Sequence, residues 1–391
     1  MFPKLRFKEF DGDWLKLKYK DVLTIKYGKD HKSLNDGDIP VYGTGGLMRH
    51  VNKYLYDGES ILIGRKGTID KPKYINEKFW TVDTLFYTEI EESIVPLFLY
   101  QHALEVNWLG LNEATGVPSL NTTSIYNIDI SIPSKEEQNK IASFLSVVDE
   151  KISQLTQKLE LLSQYKQGMM QKLFSQQLRF KADDGSEFGE WEEVKFSGIF
   201  NFHQTNSYSR ALLAEYGEIM NIHYGDIHTK FSMLFDVNKE SVPFLNDEVD
   251  TSKIAKEQFL KVGDLVIADA SEDYKDIGKS IEVISLNNQK VVAGLHTYIA
   301  RPVKPFALGF CGYMMQTFPV REQIKKLATG ISVLGISKTN LGKVELKVPS
   351  LEEQTKIANF LSAIDQKIEV VVQQIEQAKQ WKKGLLQQMF V

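Results

Sequence analysis

One segment of this sequence occurs twice. Residues 132–175 open IPSKEEQNKIASFLSVVDEKI and residues 348–391 open VPSLEEQTKIANFLSAIDQKI; the two align without a gap, with 21 identities in 44 positions. A duplication of this length is one structural unit met twice. Each copy begins as a helix begins. Ser134 with Glu137, and Ser350 with Glu353, have the spacing of a capping box, in which the serine accepts a backbone N–H and the glutamate reaches back. Behind each start runs a four–three apolar rhythm. The first copy carries Ile141, Leu145, Val148, Ile152, Leu155, Leu159, Leu162, Lys166, Met169 and Leu173. The second carries Ile357, Leu361, Ile364, Ile368, Val371, Ile375, Ala378, Lys382, Leu385 and Met389. A step averaging about 3.5 residues, sustained over some four heptads, is a coiled-coil seam, and a stripe two positions wide suits a single partner helix. At ~1.5 Å per residue, each copy makes a rod of roughly 60 Å.

The lysine in each seam sets the direction of pairing. Parallel and in register, Lys166 faces Lys382, and like charges repel. Antiparallel with matched ends, Lys166 falls beside Asp365 and Lys382 beside Asp149, so each gains a carboxylate. The sequence therefore predicts an intramolecular antiparallel coiled coil.

The two rods follow two segments, so the chain divides into a module over 1–131, a central helix over 132–175, a second module over 176–347 and a C-terminal helix over 348–391. The modules open alike: Leu5-Arg6-Phe7 and Gly12-Asp13-Trp14 recur as Leu178-Arg179-Phe180 and Gly189-Glu190-Trp191. They also end alike, at Thr115-Gly116 and Thr329-Gly330. Their middles diverge. Each has short β-rich runs, at 60–63 and 81–87 and at 264–268 and 291–300, and then a helical stretch, around 95–106 and 306–328. The predicted fold class is α+β, a pseudo-two-fold tandem repeat with unlike heads. Such a body suits a partly symmetric polymer, and B-DNA, with its local two-folds, is the obvious one.

Composition narrows the class without choosing it. Lysine plus arginine number 47 against 51 acidic residues, a net charge of −4, which is low for a lone DNA binder and acceptable for a subunit that shares its DNA with partners. A single cysteine, Cys311, excludes an intramolecular disulfide and a multi-cysteine zinc site, and suits a reducing cytosol. No apolar run approaches the ~18 residues of a membrane span, and Met1 to Arg6 lacks the core of a signal peptide.

Catalytic readings fail individually. Gly278-Lys279-Ser280 has Asp273 where a phosphate loop needs glycine. Tyr42-Gly43-Thr44-Gly45-Gly46 completes no dinucleotide fingerprint. The Pro-Pro pair of amino-methyltransferases occurs nowhere. His223, Asp226 and His228 lack helical metal-ligand spacing and a nearby cysteine. Glu345-Leu346-Lys347 sits in an alternating strand pattern, where its charges face solvent.

The doubled [IV]-P-S-x-E-E-Q-x-K-I-A-x-F-L start, with a variable module before each copy, resembles the specificity subunit of type I restriction–modification systems. The likeness spans the chain. Tyr42 to Gly46, Gly64-Arg65-Lys66-Gly67 and Thr81-Val82-Asp83-Thr84-Leu85 look like one class of target recognition domain. Tyr224-Gly225-Asp226-Ile227-His228-Thr229 and Gly294-Leu295-His296-Thr297-Tyr298 look like another. The resemblance implies a non-catalytic bacterial or archaeal cytoplasmic subunit. Each domain would read one half of a split, asymmetric site on double-stranded DNA. The helices would set the gap and hold two methyltransferase subunits, with two restriction subunits joining them. S-adenosylmethionine, ATP and Mg2+ would belong to those partners. The competing reading is a coiled-coil scaffold whose heads bind proteins.

Base reading in the major groove calls for arginine or lysine at guanine and asparagine or glutamine at adenine, presented on loops or hairpins. In the first module the candidates are Tyr42, Gly43, Thr44 and Gly45 on a tight glycine loop, with Arg49, Arg65, Lys66, Thr68, Lys71 and Lys73 around it. In the second they are Tyr208, Ser209 and Arg210, then a loop carrying His223, Tyr224, Asp226, His228, Thr229 and Lys230. Ser271, Lys275 and Lys279 follow a strand end, and His296 is expected inside a strand.

Overall fold

The computed structural model describes residues 3–390. The chain divides into two compact units, Met1–Leu159 with Val371–Val391, and Glu160–Val370. The duplicated segments form two long helices, Lys135–Phe174 and Leu351–Met389.

In the first unit, a six-stranded sheet runs in the order Leu23–Tyr27, Leu85–Ile90, Tyr56–Gly64, Lys73–Thr81, Ile39–Gly43, Gly46–Val51. Its pairs are antiparallel except where Ile39–Gly43 lies parallel to Lys73–Thr81. The β-rich run at 81–87 is interrupted by a turn: strand Lys73–Thr81 ends, Val82 to Thr84 reverse, and Leu85–Ile90 begins. Gly28 packs its backbone against this turn at the Thr81 and Val82 carbonyls, where a Cβ would stand 2.0 Å from the Val82 oxygen. A separate two-stranded ribbon, Leu15–Lys18 with Asp129–Ile132, ties the start of the module to its end.

The second unit repeats that ribbon as Glu192–Lys195 with Glu345–Val348. Glu345 and Lys347 face solvent there, as the alternating pattern predicts, and Lys347 pairs with Glu193 at 3.0 Å. Its middle is built differently. One sheet runs Phe200–His203, Thr297–Pro302, Leu265–Ala268, Ser280–Ser285, Leu234–Asp236; another runs Leu213–Ala214, Phe244–Leu245, Ile219–Ile222, Lys290–Ala293. The expected strand over 291–300 is thus two strands in two sheets. The two are joined through Gly294 and a turn at Leu295-His296: a Cβ on Gly294 would stand 2.7 Å from the Asn221 side chain, and His296 takes a left-handed φ of 56°. The helical stretch at 306–328 is likewise two helices, Phe310–Met315 and Phe318–Leu327, because Pro319 starts the second.

The eighteen apolar seam positions are all buried or half-buried: Ile141, Leu145, Val148, Leu155 and Leu173, and Ile357, Leu361, Ile364, Val371, Ile375, Leu385 and Met389, are closed to solvent, and Ile152, Leu159, Leu162, Met169, Ile368 and Ala378 are half-closed. The helices are antiparallel. In the first unit Lys382 pairs with Asp149 at 2.6 Å, and in the second Lys166 pairs with Asp365 at 2.5 Å. The seam is not a pure two-helix contact. In the first unit Ile141, Leu145 and Val148 share one core with Leu385, Leu386 and Met389 and with Trp14, Phe98 and Trp108 of the module. In the second, Leu173, Ile357, Leu361 and Ile364 share a core with Trp191, Phe196 and Phe310. The stripe serves a partner helix and a module together, which explains why Ala142 and Ala358, beside it, are buried too.

The opening motifs of the modules bind the helix starts. The Arg6 guanidinium grips the Glu137 carboxylate with two bonds of 2.7 Å and also donates to the Gly12 carbonyl at 2.7 Å. Arg179 does the same with Glu353, at 3.1 and 2.8 Å, and with the Gly189 carbonyl, at 2.7 Å; the Trp191 indole adds a third donor to Glu353 at 3.1 Å. The capping boxes are therefore half formed. Ser134 and Ser350 accept the N–H groups of Glu137 and Glu353 at 3.3 Å, but the glutamates are turned to arginine, a stronger and bidentate partner. The next residue completes the joint: Gln138 accepts from the Val95 N–H at 2.8 Å, and Gln354 from the Ala307 N–H at 3.1 Å. The Glu-Glu-Gln triplet is thus a socket for a module as much as a helix start.

One buried carboxylate gives the second unit a pH dependence. Glu282, 1% exposed, accepts from the Gly309 and Gly312 N–H groups at 2.7 and 2.6 Å. Burial outweighs those donors and pushes its pKa from 4.5 up to about 7. The folded state then holds the proton more tightly than the unfolded one, so this contribution is full below pH 4.5 and is lost as pH rises to about 7. Denaturant midpoints taken across that range are expected to fall in the native chain and to flatten in Glu282→Gln; parallel slopes in the two would refute the assignment.

Candidate nucleic-acid interface

In the first module the glycine loop is the tip of the hairpin Ile39–Gly43/Gly46–Val51, with Gly43 paired to Gly46 and Gly46 at a φ of 121°. The structure gathers part of the predicted set around it. The Thr44 hydroxyl lies 3.5 Å from where a Cβ on Gly67 would stand, and the Lys73 ammonium 3.5 Å from the equivalent point on Gly46. An open groove runs past the loop, lined also by His31, Lys32, Asp83 and Thr84. Arg65 is held at its margin: its guanidinium donates to the Asp83 carbonyl at 3.1 Å and lies over the Tyr27 ring, 5.5 Å from its centre. Lys66 is exposed beside it. Tyr42 spends its hydroxyl on Glu77 at 2.7 Å, and burial with that carboxylate raises its pKa to about 12.

Other members of the set lie elsewhere. Arg49 is taken by Asp36 at 2.7 Å and the Leu34 carbonyl at 3.1 Å, so it braces the loop before the hairpin. Thr68 is half-buried with its carbonyl against Gly64, where a Cβ would come within 2.1 Å. Lys71 is exposed, and no contact among the described residues brings it to the groove. Sequence reasoning passed over Tyr27, His31, Lys32, Leu47 and Met48. The apolar pair directly after a glycine turn was the available signal.

In the second module two stretches far apart in sequence converge. The expected loop at 224–229 is a short helix, Tyr224–Thr229, capped by His223, whose Nδ1 accepts the Gly225 N–H at 3.1 Å. His296 sits in a tight turn rather than a strand. The Tyr224 ring stands among three histidines, 4.6 Å from His223, 6.1 Å from His228 and 5.4 Å from His296. Their hydrogen bonds fix their edges. His223 Nδ1 accepts from Gly225 and from Arg210 at 3.2 Å, so Nε2 carries its proton; burial, then the Arg210 charge, lowers its pKa. His296 Nδ1 donates to Asp269 at 3.2 Å, and His228 Nε2 donates to the Ala270 carbonyl at 3.0 Å. Lys279 reaches the His228 carbonyl at 2.7 Å.

Asp226 is not a surface acceptor. It is 1% exposed and takes Arg210 at 3.1 Å and Lys230 at 3.2 Å on one oxygen, which holds both exposed cations over the histidine cluster. Ser271 is buried too, closing a turn by donating to the Asp273 carbonyl at 2.9 Å, and Lys275 pairs with Asp273 at 3.1 Å on that turn. Thr229 bonds back to the Gly225 carbonyl at 2.8 Å. Tyr208 is half-buried against the Ile219–Leu245–Val292 cluster, and Ser209 is exposed next to Arg210. Asp269, which orients His296, carried no sequence signal. Among the described residues no group of three or more acidic, histidine or cysteine side chains is placed to hold a metal.

Two frames built alike, each joined to the start of a long helix and carrying unlike polar and aromatic surfaces, define a two-headed recognition protein. The family model described as the type I restriction modification DNA specificity domain matches residues 11–164 and again 189–380, and the chain belongs to that family. It is similar to the type I restriction enzyme MjaVIII specificity subunit of Methanocaldococcus jannaschii, 27% identical over 349 residues, covering 85% of this chain and 76% of that one. It is also similar to the putative MjaX specificity subunit of the same organism, at 25% identity over 98% of this chain and 94% of the relative. The fold matches the crystal structure of a type I restriction–modification S subunit from M. genitalium, with a TM-score of 0.63 at 15% identity, covering 100% of this chain and 99% of that one.

Proposed function

We propose that this type I specificity subunit, itself without catalysis, directs an adenine-N6 methyltransferase to a bipartite, asymmetric DNA site, each recognition domain reading one half. The observation that carries the reading is one frame used twice with different chemistry on it: a glycine hairpin with lysines in one module, and a tyrosine set among histidines beneath two cations in the other. Unlike surfaces on like frames suit unlike half-sites. The long helices set the gap between the halves and dock two methyltransferase subunits; two restriction subunits complete an ATP-dependent nuclease. S-adenosylmethionine, ATP and Mg2+ are bound by those partners in the cytoplasm. No helix among the described residues is long and apolar enough to cross a membrane.

The test is a single-molecule methylome of the host with and without this gene. Loss of one bipartite N6-methyladenine motif on deletion is the expected result and yields both half-sites and the gap. An unchanged methylome in a host shown to express the methyltransferase subunits would overturn the reading, and pull-down with the two heads would then test a protein-binding scaffold.

A further inference from the structure

The hairpin of the first module exposes two large apolar side chains side by side. Leu47 and Met48 are each 56% exposed. In a regular strand, neighbours point to opposite faces. Here the register shifts: Val41 pairs with Arg49 and Tyr42 with Leu47, so Met48 is the extra residue of a β-bulge, a device that re-aims a side chain. Gly43 seats it, since a Cβ there would stand 2.7 Å from the Met48 sulfur. The pair sits on the edge strand of its sheet, beside the groove lined by Lys32 and Thr44, with the Lys73 ammonium at the adjacent glycine. Lys32, Lys66 and Lys73 make no ion pair among the described residues.

An apolar tip among unpaired cations fits a surface that is anionic at its rim and apolar at one point. The DNA major groove is such a surface: phosphates flank it, and the thymine C5-methyl is the apolar group on its base edges. We propose that Leu47 and Met48 read a thymine methyl in the half-site of the first module. This rests on the reading of that module as a DNA-recognition domain.

The experiment uses the complex assembled with its methyltransferase subunits and duplexes in which each thymine of the first half-site is replaced in turn by deoxyuridine. Removing one methyl is expected to weaken binding about three- to fivefold at one position, the scale of one buried methyl group. The exposed double variant Leu47→Ser/Met48→Ser is expected to bind both duplexes equally while keeping its discrimination at the second half-site. Specific binding with no methyl-sensitive position, or a variant that still senses the methyl, would overturn the proposal and leave the function standing. A fluorescence rise from 2-aminopurine at a base step without methyl sensitivity would instead assign the pair as a wedge. Absence of specific binding by the native complex would overturn the function itself.

Discussion

Replacing Arg179 by alanine is expected to destabilise the second unit by about 3–5 kcal/mol, the usual cost of leaving a buried charge without its partner. Glu353 is 1% exposed, and Arg179 supplies two of its three side-chain donors; Trp191 alone cannot neutralise it. The loss spreads because Glu353 stands in the first turn of the helix whose Ile357, Leu361 and Ile364 are core residues. Denaturant unfolding of the full chain measures the size, and hydrogen exchange localises it to residues 160–370. Arg179→Lys keeps the charge but loses the planar fork, and an intermediate loss is expected. A loss below about 1 kcal/mol in the alanine variant, the range of an exposed pair, would show that the clasp is ornamental.

Tyr224→Ala is expected to cost recognition of the second half-site about 1–3 kcal/mol, roughly five- to 150-fold in binding, the scale of one base-reading contact. The ring is the common neighbour of His223, His228 and His296, so its removal frees all three edges at once. Binding of the assembled complex to duplexes altered in one half at a time separates the halves. The first should be discriminated as before. Tyr224→Phe keeps the ring and is expected to lose little. An alanine variant that still rejects a wrong second half would remove the cluster from the reading surface.

The long helices were legible because their signal is local. Seam spacing and two lysines sufficed to name Asp365 and Asp149 as partners. The candidate recognition surfaces were legible as motifs and not as sites. That Tyr224 meets His296 depends on the turn at Leu295-His296 between two sheets, and nothing local announces which strand ends will be neighbours. Arg49 read as a free cation until Asp36, 13 residues earlier, took it. Ser271 and Asp226 read as polar surface, but polar side chains also close turns and anchor cations, and composition does not separate those uses. Glu137 and Glu353 read as caps because the box is a local pattern, whereas their arginines stand 131 and 174 residues away.

The clasp has an evolutionary consequence. Each head meets its helix through its own Leu-Arg-Phe opening and through Pro-Ser-x-Glu-Glu-Gln, which is the same in both copies, while the hairpin and the histidine cluster lie outside that joint. A genetic crossover inside the shared helix start therefore delivers a foreign head with its socket already matched. New pairings of half-sites can arise by shuffling whole heads, with no intermediate that must survive a broken joint.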